Sequence, residues 1–176
     1  MDWMRLPIGA DAPHTVNAVV EIPKGSSNKV EFRPDLNAFF IDRVLFSPLY
    51  YPTEYGWIAS TLGEDGDPLD ILVFSTQPTF TGCVLSARPL GLLQMVDEEG
   101  EDTKILAVHT RDPRYSEVTN LMEVGEHRMK EIEHFFQVYK DLEQKPVEVT
   151  GWINDSDRAC ELVTECHRRH REMYGE

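Results

Sequence analysis

Gly63-Glu64-Asp65-Gly66-Asp67-Pro68-Leu69-Asp70 runs directly into the apolar stretch Ile71-Leu72-Val73-Phe74. Three aspartates fall within six residues, and carboxylates this close do not all stay ionised without a compensating cation. Hard divalent cations such as Mg²⁺ take oxygen ligands and keep room for water and phosphate oxygens. Gly66 lets the backbone turn sharply and Pro68 fixes φ, so the turn is stiff before any ligand arrives. A strand starting at Leu69 projects Asp70 from its first residues, with Asp65 and Asp67 beside it on the loop. The same residues also suit a solvated acidic turn in front of a buried strand. The remainder of the chain has to separate these readings.

On the N-terminal side, residues 1–14 contain Pro7, Gly9 and Pro13 and read as an irregular arm. Val16–Ile22 is rich in β-branched residues and reads as a strand. A turn over 23–28 leads to a second strand over 29–33, where alternation puts Lys29, Glu31 and Arg33 on one face. Taken alone, Lys29 and Glu31 form a solvent-facing charge pair of little energetic weight. A short strand over 38–41 ends at Asp42-Arg43. The Pro- and aromatic-rich residues 46–57 read as a packed connection entering a strand at Trp57.

On the C-terminal side, strands are expected over 69–74, 82–87, 90–95 and 103–108. The turn before the last of these holds five acids in six residues from Asp97, with Lys104 just beyond. From 124 to 142 apolar residues recur at helical spacing, with Met129, Ile132, Phe136 and Tyr139 in line. A strand over 147–152 follows, and Asp155 or Ser156 can cap a last helix reaching Tyr174. Short strands followed by two helices predict an α+β fold, a compact closed β-barrel with two main helices packed outside, formed as a single domain over 1–176.

Composition narrows the function. A net charge of −14 disfavours nucleic acid and anionic membrane surfaces as partners, although bound metal can invert the field locally. No apolar run is long enough to span a bilayer. The N-terminus lacks a signal pattern, and three scattered cysteines fit reduced thiols, so a cytoplasmic location is expected. The aspartate turn fails as an EF-hand, because position six counted from Asp65 is Asp70 and position twelve is Thr76. Cys166, His167 and His170 lie close on the last helix, but two or three ligands without a distant fourth make a weak metal site. The basic run 167–171 suits a helix C-terminus instead.

Six segments together resemble the soluble family I inorganic pyrophosphatases of the bacterial and archaeal type. They are Glu21-Ile-Pro-Lys-Gly-Ser-Ser-Asn-Lys29-Val-Glu31, Asp42-Arg43, Tyr51-Pro-Thr-Glu-Tyr55-Gly, Glu64-Asp65-Gly-Asp67-Pro-Leu-Asp70, Asp97-Glu-Glu-Gly-Glu-Asp102-Thr-Lys104 and His134-Phe-Phe-Gln-Val-Tyr139-Lys140-Asp-Leu. The resemblance implies hydrolysis of pyrophosphate at a site holding several Mg²⁺ ions, with Mn²⁺ or Zn²⁺ as substitutes and Ca²⁺ inhibitory. It implies that Asp65, Asp70 and Asp102 hold one metal, that Asp70 bridges to a second, and that Asp97 and Asp102 hold a further one. Glu21 and Glu31 would support the rim, and Asp67 would take the proton of the attacking water. Lys29, Arg43, Tyr55, Lys104, Tyr139 and Lys140 would grip phosphate, the barrel would be OB-like, and the chain would assemble as a homohexamer. Val30, Glu54, His109 and Val138 depart from the usual family pattern. Two other functions are weighed against this one: single-stranded nucleic-acid binding on an OB-like barrel, and metal binding without turnover.

Overall fold

The structure, a computed structural model, describes residues 3–98 and 100–175. The first two residues of the expected arm, Glu99 of the acidic turn and Glu176 lie outside the described residues. Ladder hydrogen bonds define β1 (Val16–Ile22), β2 (Asn28–Arg33), β3 (Ala38–Val44), β4 (Glu54–Ile58), β5 (Asp70–Phe74), β6 (Val84–Asp97), β7 (Gly100–His109) and β8 (Glu148–Ile153). The order β1-β4-β5-β7-β6 closes into a ring because β1 also pairs with β6, and β8 extends the sheet beyond β6. Closure leaves the ring without a free edge, the liability that open sheets must otherwise cover. β5 and β7 run parallel, and the other ring pairings are antiparallel. β2 and β3 form a separate hairpin.

Among the described residues three α-helices accompany the strands: α1 (Leu121–Val124), α2 (Glu126–Val138) and α3 (Ser156–Tyr174). Two-residue alternation divides the strand side chains between them. Leu72, Phe74, Leu106 and Val108 join Ile132, Phe135 and Phe136 of α2 in one core. Ile71, Val73, Ile105 and Ala107 join Ala159, Val163 and Cys166 of α3 in another. Each fully buried aliphatic or aromatic side chain contributes about 1.5–3 kcal/mol of transfer free energy.

Two expectations need correction. Residues 82–87 and 90–95 are not separate strands, because β6 runs unbroken from Val84 to Asp97. Pro89 falls in the gap between the two expected strands, and the register shifts between Pro89 and Gly91. A bulge at that point removes the need for the missing N–H. The helix expected over 124–142 is interrupted at Gly125, whose φ of +111° is closed to ordinary side chains in a helix. It ends at Val138, and Asp141–Glu143 forms a short 3₁₀ turn.

The last helix matches its expected span. Asp155 supplies the cap, with Oδ1 accepting from the backbone N–H of Asp157 and of Arg158, each at 3.0 Å. Cys166 and His170 are buried, and Cys166 joins the core between α3 and the sheet. The arm contains one 3₁₀ turn, Trp3–Arg5, and the Trp3 ring packs edge-on to Phe39.

Candidate active site

The alternation that sends apolar residues toward α2 continues into charged strand ends. Asp70 shares the face of Leu72 and Phe74 on β5, while Asp102 and Lys104 share that of Leu106 and Val108 on β7. Leu93 and Met95 lead in the same way to Asp97 on β6. Pairing Ile71 with Ile105 across the parallel strands sets Asp70 beside Lys104.

Lys104 is the centre of the site and only 2% exposed. Its Nζ donates to Asp70 Oδ2 at 2.6 Å and to both Asp102 oxygens at 2.9 Å. The Tyr55 hydroxyl donates to Asp70 Oδ2 at 2.6 Å. The ammonium also lies 5.3 Å from the Tyr55 ring centroid and 5.7 Å from that of Phe136, within cation–π reach. Burial alone would lower the lysine pKa, but Asp70 and Asp102 outweigh it and raise it. Lys104 is therefore a permanently charged group held in a largely dry place.

The other cations surround it. Lys140 Nζ donates to Asp97 Oδ2 at 2.9 Å and Glu98 Oε2 at 3.0 Å. Lys29 and Arg43 are cross-strand partners in the β2–β3 hairpin, an arrangement of like charges that needs relief. Glu31 pairs closely with Lys29 and Asp42 with Arg43, while Glu143 Oε1 accepts from Arg43 Nε at 2.9 Å. The Tyr139 ring stacks on Phe135 and lies beneath Lys140. Burial raises the pKa of Tyr55 and Tyr139, so both phenols remain protonated donors.

Negative charge is in excess nearby. Withdrawal from solvent pushes Glu21 up to about 8, against the N–H of Phe32 that bonds it and with Asp70 adding to the rise. Asp102 is also raised, by burial first and by Asp70 and Asp97 after it, despite Lys104. Carboxylates that resist ionisation beside one another, with oxygen as the donor atom throughout, fit a hard divalent cation.

Asp65 and Asp67 occupy the exposed turn before β5. Gly63 N donates to Asp67 O at 2.7 Å and Asp67 N to Asp65 Oδ1 at 3.0 Å, and Gly66 takes φ +93°. The turn is braced by α3, where Cys166 O accepts from Leu62 N at 3.0 Å, His167 Nδ1 lies 2.7 Å from Ser60 O, and Arg169 pairs with Glu64. The carboxylates of Glu21, Glu31, Asp70, Asp97 and Asp102 thus share one charge network with Lys29, Arg43, Tyr55, Lys104 and Lys140. Asp65 and Asp67 adjoin it through the chain segment leading to Asp70.

Three participants escaped the sequence reading. Asp42 lies next to Arg43 and Glu98 in the acidic turn, so composition pointed to both. Glu143 carries no local signal, because its partner Arg43 is 100 positions away. Among the departures, Glu54 is fully buried and turned to a structural use. Its carboxylate accepts from Thr79 N at 3.0 Å and Thr79 Oγ1 at 2.6 Å, fixing the loop after β5. Val30 is buried in the α2-side core.

Comparison with known proteins adds an independent line. The family model described as inorganic pyrophosphatase matches residues 18–171. The inorganic pyrophosphatase of Halalkalibacterium halodurans is 49% identical over 159 residues, covering 90% of this chain and 97% of that protein. That of Synechocystis is 47% identical over 171 residues, covering 97% and 100%. The crystal structure of inorganic pyrophosphatase from Thermus thermophilus superposes with a TM-score of 0.94 at 45% identity, covering 97% of this chain and 99% of that one.

Proposed function

Because this chain belongs to the inorganic pyrophosphatase family, a metal-dependent diphosphatase hydrolysing pyrophosphate to two phosphates, we propose how its own residues divide that work. The observation that carries the assignment is Lys104, buried between Asp70 and Asp102. It sets a seat for cations directly beside a seat for phosphate. Asp65, Asp70 and Asp102, with Asp97 and with Glu21 and Glu31 at the rim, would hold Mg²⁺. When bound, such ions lower the pKa of coordinated water and offset charge on phosphate oxygens.

Arg43 grips a phosphate in a fork, and Lys29, Lys104 and Lys140 act as point charges. These cations exchange their present carboxylate partners for substrate oxygens. Tyr55 and Tyr139 add hydroxyl donors whose protons burial retains. Asp67, on a turn already shaped by backbone bonds, accepts the proton of the attacking water. Phosphate release from pyrophosphate, measured with and without Mg²⁺, tests the assignment. Metal-independent release, or none at all, would refute it.

Mg²⁺ is expected to support turnover and Ca²⁺ to bind and inhibit. Ca²⁺ tolerates looser, higher coordination and acidifies its water less. Full activity with Ca²⁺ as the sole metal would sink this account. In vivo we place the protein in the cytoplasm, whose reducing conditions suit the three free cysteines. No helix among the described residues is long and apolar enough to cross a membrane.

For assembly we propose a homohexamer with the exposed His134 face of α2 near a subunit contact. Light scattering should give a mass near six chains at neutral pH. A monomer at micromolar concentration would overturn the proposal.

A further inference from the structure

The chain is strongly acidic, yet several cations gather where few acids lie. A cavity of about 330 Å³ opens beyond the C-terminal ends of the parallel strands β5 and β7, lined by Lys24, Ser75, Arg114, Tyr115 and Arg128. Ser75 is five positions along the chain from Asp70, which is roughly 16 Å in an extended strand. The cavity therefore lies at the opposite end of β5 from the charge network that holds Lys104.

The charges here are poorly matched by acids. Among the described residues Lys24 Nζ reaches only the Ser75 carbonyl, at 3.4 Å. Arg128 donates to the Tyr115 hydroxyl and stacks over that ring, 5.8 Å from its centroid. Arg88 lies behind the Tyr115 wall, donating to the carbonyls of Tyr115 and Val118 at 3.1 and 2.6 Å, and its Nε is buried without a hydrogen-bond partner. Among the described residues none of these three cations is in an ion pair with a carboxylate. Arg114 has Asp112 at 3.7 Å, but that carboxylate is already engaged by the N–H groups of Thr76 and Arg114. Glu123, the other acid at the cavity, is engaged by Thr119 N and Oγ1. Three cations thus line the cavity, with Arg88 behind its wall, and the two nearby carboxylates are already hydrogen-bonded.

An accessible excess of guanidinium and ammonium groups favours an oxyanion, and arginine forks match phosphoryl oxygens in particular. The Tyr115 hydroxyl and Ser75 add neutral polar groups, and the volume suits a small ligand. We propose that this cavity binds a phosphoryl anion, at a site separate from the hydrolytic one. The anion is either free phosphate or the phosphate tail of a nucleotide.

The test is equilibrium dialysis of the full-length protein with labelled inorganic phosphate, comparing the parent with the double variant Lys24→Gln, Arg128→Gln. The double variant should lose one bound phosphate per chain, or bind it at least about tenfold more weakly, while pyrophosphate hydrolysis stays within about twofold of the parent. Arg128→Lys alone, which keeps the charge and loses the fork, should fall between the two. ADP that displaces this phosphate identifies a nucleotide tail as the ligand, and ADP that does not identifies the free anion; either answer upholds the site. Identical isotherms for parent and double variant would overturn the proposal. So would loss of hydrolysis in step with binding, because the residues would then belong to the hydrolytic site.

Discussion

Asp67→Asn is expected to leave metal and pyrophosphate binding largely intact while lowering kcat by about 10²–10⁴, the range for removing a general base. The structure shows why the turn should survive. Gly63 N bonds the Asp67 carbonyl and Asp67 N bonds Asp65 Oδ1, so neither bond uses the Asp67 carboxylate. What the amide cannot do is take a proton from water. Asp70→Asn should behave differently, since Asp70 already accepts from both Lys104 and Tyr55 and would be one of the residues that hold Mg²⁺. Its loss weakens metal affinity, and added Mg²⁺ should recover part of the rate. Initial rates titrated with Mg²⁺ for both variants and the parent make the comparison. Equal rescue of the two would make Asp67 a ligand and pass the proton-acceptor role to Asp102.

Lys104→Met should lower kcat/KM by about 10²–10³, the range for removing one preorganised electrostatic donor. Methionine has similar length and a flexible apolar chain that can lie against the Tyr55 and Phe136 rings. The substitution therefore removes charge more than packing. It also leaves Asp70 facing Asp102 with no ammonium between them, so the melting temperature in chelator should fall and Mg²⁺ should restore it. Activity within tenfold of the parent would show that phosphate is held elsewhere.

Much of this arrangement was legible because it follows local periods. Alternation through Leu72 and Phe74 assigns Asp70 to a face before any partner strand is known, and Asp155 with the apolar spacing behind it marks α3. Register was not legible. That Lys104 falls between Asp70 and Asp102 depends on the parallel pairing of Ile71 with Ile105, a long-range choice that neither strand encodes alone. The Pro89 bulge hid the continuity of β6 for a related reason, since a proline breaks a strand only if its position requires a ladder donor. The Arg43–Glu143 bond spans too much chain for any local pattern to announce it.

The shared face of charged ends and apolar interiors has a consequence for changes in length. Because side chains alternate every residue, removing one codon from the interior of β5 or β7 turns everything on one side of the cut to the opposite face. Asp70 would then point toward α3, or the core leucines would. Removing two codons keeps the face but shortens the strand by roughly 7 Å, which separates the charged end from its neighbours. A scan of single-codon deletions should therefore find hydrolysis abolished throughout 70–74 and 102–108 and retained in turns such as 34–37. In the ring strands this sequence can diverge by exchanging residues, while insertions and deletions are confined to the connections.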